Sequence, residues 1–129
     1  MEYIALTGIA DSLIEVLKKH HLRTLEIRSP QNFVGVLGLN AGDNVLLTST
    51  SLQDLTDGTP GLITKVVQKQ ISVHSVVSSN DFYIEEREAM SARIQLECRC
   101  IARVRSVISN ELGKPVRVDA REISCYEAR

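Results

Sequence analysis

The chain has 129 residues and a mass of 14.3 kDa, which predicts one domain, 1–129, around a single core. With 43% hydrophobic and 24% charged residues it has the composition of a soluble globular protein, and no apolar run of about 18 residues exists to form a membrane-spanning helix. The formal net charge of −1 provides no global field toward nucleic acid, and an acid at position 2 without a basic segment argues against a signal peptide, so a cytoplasmic protein is the default expectation.

Taken in order, "YIALT" predicts a first strand, and "ADSLIEVLKKH" places Leu13, Ile14, Val16 and Leu17 at helical spacing. Ser12 and Glu15 form a capping-box pattern at the start of this helix, and Lys18 and Lys19 complement its dipole at the end. His20 and His21 at the helix terminus are better explained by bonds to its last carbonyls than by catalysis. "LRTLEIR" returns as a strand, and Pro30 opens one or two helical turns. Asn40-Ala41-Gly42-Asp43 then turns the chain into the strand "NVLLTST". The turn formers "DGTPG" predict that "LITKVVQKQ" hairpins back, with "ISVHSVV" continuing in extended form. "SSNDFYIEEREAM" carries cap candidates and early acids and reads as a short helix or an ordered loop.

The last third alternates. Ile94, Leu96, Cys98, Cys100, Ala102 and Val104 share one face, and Arg93, Gln95, Glu97, Arg99, Ile101, Arg103 and Arg105 share the other. So long a strand is expected to bend or carry a bulge. "PVRVDAREI" repeats the pattern with Val116 and Val118 inward. Five to seven short strands with few helices predict an α+β chain, a small mixed or antiparallel β-barrel with one main helix after the first strand and one or two short helices.

Charge is distributed unevenly. Residues 1–86 hold 6 Lys/Arg against 10 Asp/Glu, and residues 87–129 hold 9 against 6, eight of the nine being arginine. Arginine grips phosphate and carboxylate in a fork, so these side chains suit either a phosphate-contacting surface or a solvated strand face. Cys98 and Cys100 share a strand side roughly 6.6 Å apart, too far for a disulfide between them. With Cys125 they form no even-numbered framework, and they are expected to be reduced core thiols. Although His74 could join them as a ligand, no C-x-x-C supports a metal site.

The stretch "HLRTLEIRSP", 21–30, carries the clearest functional signal. Alternation turns Leu25 and Ile27 inward and Thr24, Glu26 and Arg28 outward, as a binding edge or as a solvated ion pair. Together with Gly42-Asp43 before the next strand, it resembles the ASCH branch of the PUA-like barrels, whose motif has the form G-x-K-x-x-E-x-R. His21 stands at the glycine position, Arg23 at the lysine, Glu26 at the glutamate and Arg28 at the arginine. This resemblance covers about residues 1–78. Over its whole length the chain also resembles a small family of uncharacterised archaeal proteins found mainly in methanogens.

The ASCH resemblance implies a cleft lined by Arg23, Glu26 and Arg28 that binds RNA or a nucleotide-like ligand. Ser49, Thr50 and Lys65 would be neighbours, and Arg93, Arg99 and Arg103 would extend a phosphate-contacting surface. Some ASCH-like domains hydrolyse modified cytidines with a lysine base and a threonine nucleophile. Here Arg23 and Glu26 occupy those positions, and arginine is a poor general base, so binding is favoured over catalysis. The alternatives are a hydrolase acting on a modified nucleoside or small amide, and a protein-interaction module without a small ligand. No cofactor or metal is implied, and the scarcity of aromatics limits base stacking to a few nucleotides.

Overall fold

The computed structural model describes residues 1–79 and 84–125, and of residues 74–76, 78 and 85–89 the backbone only. Six strands and two α-helices follow in the order β1 (Glu2–Leu6), α1 (Asp11–His20), β2 (Leu22–Ile27), α2 (Pro30–Leu37), β3 (Asn44–Leu47), β4 (Pro60–Ser79), β5 (Ile84–Ser109) and β6 (Val116–Cys125). A single 3-10 turn, Leu52–Asp54, lies between β3 and β4.

The helices form where the local signals place them, with one difference. α1 begins at Asp11 after Ala10, without a side-chain cap, so Ser12 lies inside the first turn and the expected capping box is absent. At the other end His21 adopts φ 62° and its N–H donates to Leu17 O at 2.8 Å, closing the helix in the left-handed conformation. α2 is capped by Ser29, whose hydroxyl accepts from Asn32 N, with Pro30 in the first turn where no donor is lost.

The ladders run β2-β5-β4-β3-β1-β6, and a further β5–β6 pairing closes β5, β4, β3, β1 and β6 into a circuit. β1 and β3 are parallel, and every other pairing is antiparallel. All five strands of the circuit contribute to one core cluster, which includes Tyr3, Leu46, Ile63, Ala102, Val104 and Val118. The opposite faces of β1, β3, β4 and β5 join β2 and both helices in a second cluster around Leu6, Leu17, Leu25, Val36, Leu62 and Leu96. Gly61 permits the close approach of β3 and β4, since a Cβ there would stand 2.9 Å from Leu46 Cδ2 and 3.1 Å from Leu47 O.

The alternation in β5 holds, but a register shift intervenes at Arg99, where Ile63 faces Cys100 and Thr64 faces Cys98. One residue is extra on β5, so Cys98 packs with the helices and Cys100 packs inside the circuit. The two cysteines that parity puts on one side therefore enter different cores. The expected helix or loop in "SSNDFYIEEREAM" is also corrected: from Ile84 onward the chain is strand, and residues 80–83 lie outside those described. Pairing of Ile84–Met90 with the β-branched run ahead of it outweighs the weak local helical signals. Beyond Ile71 and Ala92, β4 and β5 pair only with each other. No helix of the described residues is long and apolar enough to cross a membrane.

Candidate functional site

Where β1 and β3 end side by side, the chain leaves the sheet at Thr7-Gly8 and at Thr48–Ser51. The loop before α2 and the β5–β6 connection reach the same place. Together they enclose a cleft of about 580 Å3 lined by Thr7, Gly8, Ser29, Gln31, Asn32, Ser51, Leu52, Gln53, Asn110 and Leu112. That volume lies within the range of small-ligand sites.

Two amides of α2 fix its walls. The buried Asn32 accepts from Thr7 N at 3.0 Å through Oδ1 and donates from Nδ2 to Thr7 O at 2.8 Å, so one side chain satisfies both backbone groups of a residue leaving the sheet. Gln31 accepts from Gly113 N at 2.9 Å and donates to Lys114 O at 2.5 Å, tying the β5–β6 connection to the helix. The third wall is joined to the first by backbone bonds. Gly8 N donates to Thr50 O and Ile9 N to Thr48 O, each at 3.0 Å. The lining is thus held by bonds behind it, leaving neutral amides and hydroxyls with Leu52 and Leu112 to meet a ligand.

The residues expected at the site divide among four places. Glu26 lies on the outward face of β2, whereas Arg23 shares the face of Leu25 and Ile27 and is exposed near the start of the strand; Arg28 follows the last residue of β2. Arg28 Nε stands 3.2 Å from Glu26 Oε1, with side chains 81% and 42% exposed. Such an open pair adds little stability. Arg93 lies across from Glu26 in the β2–β5 ladder, beside a shallow polar depression formed by Thr24, Gln68, Gln70 and Gln95. Ser49 and Thr50 lie in the segment that leads from β3 to the cleft residues Ser51–Gln53 without lining the cleft themselves, and Thr50 N donates to Thr48 Oγ1 at 3.2 Å. Lys65 and Arg99 meet at the other end of β3, in a groove with Asn44, Cys100, Glu122 and Cys125. Arg103 donates from Nη1 to Gly58 O at 3.0 Å, which fastens the β3–β4 loop. The Arg23/Glu26/Arg28 edge and the Lys65, Arg99 and Arg103 positions therefore do not meet in one pocket.

The cysteines differ from the sequence expectation. Cys100 and Cys125 oppose each other on β5 and β6 and are joined as a disulfide, with Cα atoms 4.0 Å apart. The side chain of His74 lies outside the described ones, as do Phe82, Tyr83 and Tyr126. Cys98 remains a free, buried thiol. Burial pushes Cys98 up from 9.0 to about 11, against a smaller opposing pull from Lys18. Between those values the native chain keeps a proton that the unfolded chain has released, so its stability falls as pH rises through this window. Urea midpoints measured across it are expected to decline in the wild type and to decline less in Cys98→Ala.

A family model described as "Protein of unknown function (DUF473)" matches residues 1–118. The chain belongs to this family. The chain is also similar to "Uncharacterized protein MJ0105" of Methanocaldococcus jannaschii, 33% identical over 97 residues, which are 75% of this chain and 60% of the relative. The chain thus spans less than two thirds of that relative's length. No solved structure matches it. The archaeal family expected from the sequence is therefore shown. All the cleft residues fall inside the DUF473 match, whereas Glu122 and Cys125 lie beyond it.

Proposed function

We propose that this DUF473 chain is a PUA-like, ASCH-like barrel module that binds RNA or a nucleotide-like ligand in the cleft beside α2. The observation that carries this reading is the lining of the cleft: the neutral side chains of Thr7, Gln53 and Asn110, beside Ser29, Gln31 and Ser51 whose polar groups are already bonded within the chain, between two leucines. Neutral donors and acceptors suit the edge of a base, and Leu52 and Leu112 supply apolar surface for its ring. Arg28 immediately precedes Ser29 of the lining, and its exposed guanidinium would exchange its open pair with Glu26 for a ligand phosphate.

Two further features support the barrel assignment. The closed circuit of five strands, with a helix after β1 and another after β2, has the expected order. His21 stands where the motif has glycine, and its φ of 62° is the left-handed conformation that glycine adopts without strain. Catalysis finds no comparable support. Arg23 cannot readily serve as a base, and Glu26 is paired with Arg28 on an open strand face.

The reading is tested by titrating short single-stranded RNAs and mononucleotides over a salt series. Wild type is expected to bind, and Arg28→Ala is expected to weaken binding several-fold and reduce the salt slope by about one ion. The proposal fails if wild type binds none of these at low salt, or if Arg28→Ala leaves both affinity and slope unchanged.

A further inference from the structure

At the end of the circuit away from the cleft, β5 and β6 bring three soft and hard donors together. The Sγ atoms of Cys100 and Cys125 and a carboxylate oxygen of Glu122 all lie within 4.8 Å of one another. Cys125 Sγ is 3.4 Å from Glu122 Oε2, and the other carboxylate oxygen, Oε1, accepts from Tyr3 Oη at 3.3 Å. Donors around one tetrahedral zinc ion, with bonds of about 2.0–2.3 Å, stand roughly 3–4 Å apart, a spacing that this cluster meets once its disulfide is open. We propose that in their dithiol state Cys100, Cys125 and Glu122 form a three-ligand site for a thiophilic divalent cation, namely Zn2+.

The surroundings fit that role. Tyr3, buried in the circuit core, orients Glu122 as an outer partner orients a metal-bound carboxylate. A groove of about 420 Å3 adjoins the cluster and would accept a water or anionic ligand on the fourth position. Lys65 and Arg99 line it, Arg99 also standing 3.8 Å from Glu97 Oε1, and their positive charges lower the cost of gathering thiolates beside a carboxylate. Cys125 is exposed near the end of β6, so its side chain has room to move from disulfide to metal geometry.

The disulfide is the two-electron oxidised state of the same two sulfurs and offers no thiolate. A dithiol reductant opens it by transferring two electrons and two protons, leaving as its own cyclic disulfide. Zn2+ then displaces the two thiol protons as it binds both sulfurs. Cys98, packed on the helix side of the sheet, takes no part.

The test uses the full chain, reduced with dithiothreitol, freed of reductant under argon and titrated with Co2+, then with Zn2+ as competitor. One Co2+ per chain is expected, with thiolate-to-cobalt charge-transfer absorption that Zn2+ abolishes. Cys125→Ser should remove most of that absorption, Glu122→Gln and Tyr3→Phe should each weaken binding about tenfold or more, and Cys98→Ser should leave the spectrum unchanged. Absence of the band from the reduced wild type overturns the proposal. So does a band that survives Cys125→Ser at unchanged affinity, or one that the oxidised chain shows equally.

Discussion

Asn32→Leu is expected to destabilise the protein by about 2–4 kcal/mol, because it orphans the buried N–H and C=O of Thr7 at a cost of about 1–3 kcal/mol each. Leucine keeps the branched outline of asparagine but has neither its donor nor its acceptor, and its bulkier methyl groups leave no room for a water to replace them. Both groups of Thr7 are met by this one side chain, at 3.0 and 2.8 Å. The same bonds hold the end of β1 against α2, so ligand binding in the cleft should fall with stability. Urea unfolding reports the first effect as a lowered midpoint at unchanged slope. Binding measured well below that midpoint reports the second. A loss under about 1 kcal/mol would mean that Thr7 finds other partners and that the clasp is not what shapes the cleft.

The largest purely apolar effect is expected at Leu96. It is fully buried, and in register β5 carries it between Arg23 of β2 and Val66 of β4. Its side chain fills the core between the sheet and the helices. Leu96→Ala should cost about 2–5 kcal/mol, the transfer of the lost atoms plus the cavity they leave. Its neighbour across the ladder provides the contrast. Arg23 is exposed, and Arg23→Ala should change stability by no more than about 0.5 kcal/mol. Thermal and urea unfolding of the pair tests both expectations together. Comparable losses would place Leu96 outside the cooperative core.

The lines that were legible beforehand are those where a residue's neighbours in sequence are also its neighbours in the element. The 3.6-residue pattern of Leu13, Ile14 and Leu17 marked α1, Pro30 after Ser29 marked α2, and alternation from Arg93 to Val104 marked β5. The outward positions of Glu26 and Arg28 also followed from parity, and the structure pairs them with each other. Even so, local pattern misplaced the cap of α1 and misread Ile84–Met90, where pairing with another strand decides the conformation.

The cleft was largely illegible. Thr7, Gln31, Asn32 and Asn110 carry no motif and are spread over more than a hundred positions of the chain, and they meet only because parallel β1 and β3 end together beside α2. One trace was present: a polar Gln31-Asn32 pair opening an otherwise apolar helix. The cysteines show the same limit from the other side. Parity put Cys98 beside Cys100, but a single extra residue at Arg99 turned them into different cores, and the β5–β6 register set Cys100 against Cys125 instead.

By itself, then, the sequence determined the α+β class, the position of both helices, the direction in which β2 and β5 face, and membership of an archaeal family. Those properties depend on periodicity, propensity and similarity, which are carried by contiguous residues. The tertiary structure decided the closed circuit, the cleft with its two amide clasps, the dispersal of the arginines and the Cys100–Glu122–Cys125 cluster. Each of these depends on strand register and on bulges. A shift of one residue there exchanges the two faces of a strand, and the choice is made by packing between segments far apart in the chain.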